Sequence, residues 1–406
     1  MRSRHFTFVC MPAVGHVFPT LPLVAELVRR GHRVTYATGT ALLDAVRSAG
    51  ADAVEVPFVM PEHAPAPPPG EPPTQEQLRT RLEVFAGSVE SVFPVLTAML
   101  ADDPPDAVCG DALIPVGALV ARARELPYVT LRPTLATGGG FSMRDMLTPD
   151  DPMTRAMAEV FAHNGERIAA FAREHGLEPV GFDVPAALTL VFVPREFQIA
   201  GDTFDDSFAF LGHALGSRAH EQWHPPPLAD PDGPLLLVSL GTTFNDRPEF
   251  FRTCVEAFDD GVWQVVMSIG DRVDPAALGP LPGNVVAAPY VPQIAVLRRA
   301  RAFVTHSGMG STLEALLLGV PQVGVPQMVE QYVNAGRVDE LGLGRRLDPA
   351  TLDAPTLRAA VDAVAGDPAI RAAVEAFGAR MREVDGPAVG ADALERFTAQ
   401  RFTARC

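Results

Sequence analysis

The sequence predicts an α/β protein built from two doubly wound parallel sheets. Three observations predict this. Short apolar strands alternate with amphipathic helices in both halves of the chain. A segment dense in Pro, Asp and Gly, from Trp223 to Pro234, separates the halves as a linker would. In each half a glycine-bearing turn follows an apolar strand and leads into a helix, at Pro12–Pro19 and at His306–Gly310.

The elements follow in order. His5 to Met11 reads as a strand, and Pro19 to Arg30 as an amphipathic helix stopped by Gly31. Arg33 to Ala37 is a strand, Thr40 to Ala49 a helix stopped by Gly50, and Ala53 to Pro57 a strand. Leu82, Phe85, Val89, Val92 and Leu96 recur near helical spacing, which predicts a helix over Leu78 to Leu100. Asp106 to Cys109 is a strand, Val116 to Arg124 a helix and Tyr128 to Leu131 a strand. The second half repeats the pattern. Strands are predicted at Leu235–Leu240, Val262–Met267, Val285–Ala287, Ala302–Thr305 and Gln322–Val325, with a helix at Glu249–Phe258 and others between. The Pro-rich run Pro61 to Pro73 reads as a surface loop, either beside a binding site or a passive insertion.

These elements divide the chain into a Rossmann-like domain over 1–215, a linker over 216–234 and a second Rossmann-like domain over 235–386. A C-terminal helix over 387–406 is expected to pack back on the first domain. A chain of 406 residues exceeds one ordinary core, as two domains require. Two such domains in tandem imply a ligand cleft between them, at the carboxyl ends of the strands.

Bulk composition excludes several classes. A net charge of −16 argues against nucleic acid and against an anionic membrane surface; it describes a solvated acidic exterior. No apolar run reaches the ~18 to 20 residues of a membrane span, and the first ten residues read as a strand rather than a signal peptide. The four cysteines, Cys10, Cys109, Cys254 and Cys406, are scattered without a Cys-x-x-Cys pair. That spacing predicts a reducing, cytoplasmic setting and no structural metal. All 33 basic residues are arginine. Without lysine there is no pyridoxal Schiff base and no Walker lysine.

The chemistry concentrates in two turns. From Ala302 to Glu314 the chain runs as strand, glycine turn and a helix predicted to open at Ser311. Such a turn aims main-chain N–H groups and the positive helix end at one point, which suits phosphate. Gly308 and Gly310 allow close approach, Ser311 and Thr312 add hydroxyls, and Glu314 can accept from a ribose diol. By itself the turn also fits a plain strand-to-helix corner. In the first half, His16 lies in the turn after the first strand, with Gly15 making the turn and Pro19 starting the helix. A histidine there suits a general base, and Asp111, at the end of another strand, suits the carboxylate that fixes its tautomer. Helix capping is the alternative for each residue.

These motifs give the chain a resemblance that runs nearly end to end. It resembles the family 1 glycosyltransferases of the GT-B fold, of the bacterial macrolide and antibiotic natural-product type. The resemblance rests on Gly15-His16-Val17, His32-Arg33-Val34-Thr35-Tyr36, Asp111 and Val238-Ser239-Leu240-Gly241-Thr242. It continues through Val291-Pro292-Gln293, His306-Ser307-Gly308-Met309-Gly310-Ser311 and Pro326-Gln327-Met328-Val329-Glu330-Gln331. It implies an inverting, metal-independent enzyme that moves a hexose from a UDP- or dTDP-sugar to a hydroxyl of a hydrophobic acceptor. His16 would be the base and Asp111 its partner. His306, Gly308, Gly310, Ser311, Thr312 and Thr242 would hold the diphosphate, and Glu314 the ribose. Tyr290 would stack on the base beside Val291 and Gln293, where many relatives have tryptophan. Glu330 and Gln331 would read sugar hydroxyls, with Glu330 replacing the commoner aspartate. No cofactor and no metal are implied, and no Asp-x-Asp motif is evident at the donor site.

The acceptor side is read more coarsely. Phe58, Phe85, Phe93, Leu135, Phe141, Met143 and Met146 fall where the first domain should form an apolar pocket, or simply its core. A macrolide, polyketide or flavonoid would suit such a pocket. Acceptor, sugar, nucleotide and oligomeric state, monomer or homodimer, stay open, as does a biosynthetic or detoxifying role. Two alternatives share the fold: a non-catalytic helper that binds nucleotide-sugar, and a nucleotide-sugar epimerase, which needs a different carboxylate set. A phosphorylase would need a pyridoxal lysine, and a dehydrogenase a Gly-x-Gly-x-x-Gly after the first strand.

Overall fold

The computed structural model describes residues 2–58, 75–143, 152–180, 184, 186–225, 230, 232–242 and 245–403. The chain divides into two compact units. Among the described residues, one holds those up to Gly216 together with Val384 onward, and the other holds Ser217–Glu383. Pro61 to Pro73, Met146 and parts of the linker lie outside the described residues, as does the side chain of Phe85.

The first unit opens with β1 (His5–Val9), the short α1 (Val14–Val17) and α2 (Leu21–Arg29). It continues through β2 (Arg33–Thr38), α3 (Leu43–Ser48), β3 (Asp52–Glu55), α4 (Gln75–Asp102), β4 (Ala107–Asp111), α5 (Val116–Ala123) and β5 (Tyr128–Arg132). Then follow α6 (Pro152–Glu174), β6 (Thr189–Val191) and β7 (Phe208–Phe210). The strands form one seven-stranded parallel sheet in the order β3-β2-β1-β4-β5-β6-β7. Its direction of winding reverses between β1 and β4, which pair directly.

Local sequence explains much of this. Gly31 and Gly50 end α2 and α3 with φ of 85° and 87°, a backbone that side chains with a Cβ resist. One layer of core gathers Phe6, Phe8, Leu23, Leu27 and Tyr36 on one face of the sheet. The other face packs Val9, Val108, Val92, Leu96 and Leu119 from the strands, α4 and α5. Burying each large side chain contributes roughly 1.5 to 3 kcal/mol. Two expected details differ. Gly15 lies inside α1 rather than making a turn, and Pro19 sits in a 3-10 turn, Phe18–Thr20, ahead of α2.

The second unit runs β8 (Leu235–Ser239), α7 (Pro248–Ala257), β9 (Gln264–Ser268), β10 (Val285–Ala288), α8 (Gln293–Leu297), β11 (Ala300–Thr305) and α9 (Met309–Leu317). It continues with β12 (Gln322–Gly324), α10 (Val329–Glu340), β13 (Gly344–Arg346), α11 (Ala354–Gly366) and α12 (Pro368–Glu383). Its six-stranded parallel sheet has the order β10-β9-β8-β11-β12-β13, so winding reverses between β8 and β11. Sequence periodicity does not reveal β6, β7 and β13. Each is three residues long, too short for a pattern to register. Helices α6, α11 and α12 likewise go beyond the sequence expectation.

The chain ends in α13 (Gly386–Thr403), which packs on α2 within the first unit. Arg30 bonds Asp392 at 2.6 Å and His32 Nε2 bonds Glu395 Oε1 at 2.9 Å. Burial works to raise the Glu395 carboxyl, but hydrogen bonds from His32 and Arg30 outweigh it and hold it below the usual glutamate range. A lowered carboxyl stabilises the fold above its unfolded value of about 4.3 and loses that contribution as pH falls. Glu395→Ala should therefore lower stability by about 1 to 3 kcal/mol at pH 7, because the buried His32 loses its acceptor while Arg30 keeps Glu26 and Asp392. The gap from wild type should narrow below about pH 4. Thermal melts across pH check this; a variant that melts with wild type at pH 7 rules it out.

Candidate active site

In open parallel sheets, ligands bind where the winding reverses, beyond the carboxyl ends of the strands. His16 and Asp111 of the first unit, and Thr242 and His306 of the second, lie at that position.

In the first unit the reversal lies between β1 and β4. His16 sits on α1, just past β1, and Asp111 ends β4. Because those strands are neighbours, the two side chains meet across 95 residues of sequence: His16 Nδ1 lies 2.7 Å from Asp111 Oδ2. Asp111 is 1% exposed. Its Oδ1 accepts the Leu113 N–H at 2.9 Å, and Oδ2 also accepts the Met11 N–H at 3.3 Å. Burial pushes this carboxyl up, but His16 and the two main-chain donors bring it below the usual aspartate range. It is therefore an anion at neutral pH. An anion facing Nδ1 selects the tautomer with the proton on that nitrogen, which leaves Nε2 as the basic lone pair. Behind the dyad, the Thr20 hydroxyl donates to the Val17 carbonyl at 2.8 Å and lies 2.8 Å from the Tyr36 hydroxyl, fixing α1 to β2.

In the second unit the reversal lies between β8 and β11. Gly241 and Thr242 follow β8, and His306 follows β11. Helix α9 opens at Met309, two residues earlier than expected, with Gly308 as its N-cap and no capping side chain. Its first-turn N–H groups are thus those of Met309, Gly310 and Ser311. Thr312 lies further inside the helix than expected. Its N–H already bonds the Gly308 carbonyl at 2.9 Å, and the side chain is 0% exposed. The offset explains this: a fourth helical residue turns inward where a second would face out.

The turn itself is built around the His306 ring. A Cβ on Gly241 would lie 2.5 Å from His306 Cε1, and one on Gly308 would strike Nε2. Both glycines are needed for the imidazole to sit there. Burial lowers its pKa to about 4, so the ring is neutral at physiological pH. Its Nδ1 has no hydrogen-bond partner among the described residues. Ser307, not a glycine, takes the left-handed backbone, with φ of 61°. The buried Asn334 of α10 donates to its carbonyl at 3.0 Å. A left-handed non-glycine residue held this way stores strain at the turn.

Around this turn, Gln293 donates to Ser311 Oγ at 3.1 Å and to Glu314 Oε2 at 2.6 Å. Arg218 bonds the other oxygen of Glu314. Tyr290 is 71% exposed, an open ring face, whereas the Val291 side chain lies in the core. Glu330 and Gln331 open α10; Gln331 Oε1 accepts the Gln327 N–H at 2.7 Å, so its amide nitrogen is the group left to donate. Sequence reasoning missed Arg218, Asn334 and the packing role of Gly241.

The apolar candidates are mostly interior. Leu135, Phe141 and Phe93 are buried, Phe58 packs on the core, and Met143 is half-buried. A cavity of about 250 Å³ opens among His5, Thr7, Arg33 and Asp103, where β1 and β2 begin. It lies at the amino end of the sheet, away from His16.

Two parallel-sheet Rossmann-like domains, each with chemistry at its switch point, define the GT-B class of glycosyltransferase. Residues 255–395 match the family described as erythromycin biosynthesis protein CIII-like, C-terminal domain. The chain is 35% identical to the NDP-glycosyltransferase YjiC of Bacillus licheniformis over 98% of this chain and 99% of that protein. It is 34% identical to the oleandomycin glycosyltransferase of Streptomyces antibioticus, over 96% and 90% of the two chains. Among solved structures, the calicheamicin glycosyltransferase CalG4 superposes with a TM-score of 0.78 at 36% identity, covering 98% of this chain and 99% of that one. The chain belongs to the family 1 antibiotic glycosyltransferases, and it is a glycosyltransferase of the macrolide and natural-product type. Among the described residues, no helix is long and apolar enough to cross a membrane.

Proposed function

We propose that this enzyme transfers a hexose, with inversion, from a UDP- or dTDP-sugar to a hydroxyl of a hydrophobic natural product. The observation that carries the reading is the 2.7 Å contact between His16 Nδ1 and the buried Asp111 carboxylate. It leaves His16 Nε2 as a base. The acceptor hydroxyl gives its proton to Nε2 as its oxygen bonds the anomeric carbon, and the bond from that carbon to the diphosphate oxygen breaks. Asp111 stabilises the imidazolium that forms. The departing diphosphate carries new negative charge. The first-turn N–H groups of Met309, Gly310 and Ser311, with the α9 dipole, are suited to receive it. Neutral His306 adds a hydrogen bond rather than a charge.

The names of relatives support the acceptor class: one is an oleandomycin glycosyltransferase and another a calicheamicin glycosyltransferase. The test is direct. The protein is incubated with UDP-glucose or dTDP-glucose and a panel of macrolide, polyketide and flavonoid alcohols, and products are followed by mass. Glycosides should appear with one or more acceptors. Sugar epimers without glycoside would favour the epimerase, and nucleotide-sugar binding without any turnover would favour the helper.

Two further outcomes are expected. The reading gives the main-chain donors of α9 and His306 the task that a divalent cation would otherwise perform on the diphosphate, so activity should persist in EDTA. Loss in EDTA with recovery in Mg²⁺ or Mn²⁺ would refute metal independence. Glu330 and the Gln331 amide at the head of α10 are proposed to read the 3- and 4-hydroxyls of the sugar. A donor lacking one of them should lose about 10-fold or more in kcat/KM, the value of a bond to a charged acceptor. Equal use of the deoxy donor would show that these residues do not read those hydroxyls.

A further inference from the structure

The glutamate one turn into α9 does not stand alone. Arg218 lies in a 3-10 turn, Gly216–His220, 96 residues from Glu314. Its Nε donates to Glu221 Oε1 at 2.8 Å, and Glu221 Oε2 accepts the Ile294 N–H at 3.2 Å. The guanidinium is thereby anchored to the first turn of α8. Its NH1 donates to Glu314 Oε1, while Gln293 donates to Oε2. Each oxygen of a carboxylate that is 5% exposed thus has a protein donor.

This arrangement serves recognition as well as packing. We propose that Arg218 is a positioning residue for the nucleotide: it holds Glu314 oriented so that the carboxylate can accept both hydroxyls of a ribose. The proposal rests on the reading of this unit as the nucleoside-diphosphate site. Glu314 lies just beyond the first turn of α9, so a ribose linked to a diphosphate at that N-terminus would fall beside it on this reading. An ionised carboxylate has about four acceptor positions and can serve protein donors and a vicinal diol together. A protonated carboxyl spends one oxygen on its own proton and cannot accept from both hydroxyls equally. Burial raises the Glu314 carboxyl above the usual glutamate range, and Arg218 is the cation that limits that rise. The other named neighbours of Glu314 carry no positive charge. Gln293 from α8 is neutral, Tyr290 ahead of α8 is a phenol, Ser311 is a hydroxyl on the same helix, and Glu221 is an anion that opposes ionisation.

The test uses calorimetric binding of UDP and 2′-deoxy-UDP to wild type, Arg218→Gln and Arg218→Lys from pH 6 to 8. The ratio of wild-type to variant affinity at each pH cancels the ionisation of the nucleotide. For Arg218→Gln the UDP affinity should fall ~10- to 100-fold at pH 6, the loss of bonds to a charged acceptor. The deficit should shrink as pH rises and Glu314 regains its charge. The loss should be smaller for 2′-deoxy-UDP, which offers only one of the two hydroxyls. Arg218→Lys should restore part of the affinity. Wild-type affinity in Arg218→Gln overturns the proposal. So does an equal, pH-independent loss for both nucleotides, which a merely structural role would give. Wild type that binds neither UDP nor 2′-deoxy-UDP would remove the donor-site reading, and the proposal with it.

Discussion

His16→Ala should lose about 10²- to 10⁴-fold in transfer to an alcohol, the usual contribution of a general base. Nucleotide binding should be unchanged. The expectation follows from how the residue is held. His16 lies on a four-residue helix, α1, whose position is fixed by the Thr20 and Tyr36 hydroxyls. Its Nδ1 is committed to Asp111, so Nε2 is the atom with work to do. The diphosphate donors belong to α9, in the other unit. Removing the imidazole thus strips the base and leaves those donors intact. The check is kcat/KM for transfer beside a dissociation constant for UDP. Near-full transfer would exclude His16 as the base. Joint loss of transfer and UDP binding would point to a folding defect instead.

Asp111→Asn should be nearly as damaging, for a different reason. The amide is close in size and could keep the Leu113 N–H contact through its oxygen. What changes is the face shown to His16. An amide nitrogen there would donate to Nδ1 and so place the imidazole proton on Nε2, the wrong tautomer for a base. It also cannot stabilise the imidazolium. A loss of about 10³- to 10⁴-fold in kcat is expected, with the acceptor KM little changed. The sign with pH is also fixed. The wild-type carboxyl sits below the usual aspartate range, so it stays ionised through the working pH range. Activity should not fall on its account until pH drops below about 4. A variant with wild-type rate and pH profile would make Asp111 a structural residue only.

The sequence carried the fold well where elements are long and sharply ended. Gly31 and Gly50 announce helix stops because their left-handed backbone excludes most other residues. The dyad was legible because alternating strands and helices imply a parallel sheet, and β1 and β4 then prove to be neighbours. The donor turn was legible as a motif but misplaced by two residues. That shift is why Thr312 reads as a ligand in sequence and is buried in the fold. Arg218 was invisible for a physical reason. It sits in a five-residue 3-10 turn, and its partner lies 96 residues away on another element. No local periodicity encodes such a contact. The same holds for Gly241, whose missing Cβ makes room for the ring of His306.

The central claim is a single displacement driven by His16 as base. The most direct measurement is the configuration of the glycoside formed from an α-linked UDP- or dTDP-glucose, read from the anomeric proton coupling by NMR. A base that activates the acceptor for one attack opposite the leaving diphosphate gives the β-glycoside. An α-glycoside would mean retention, and would contradict the account.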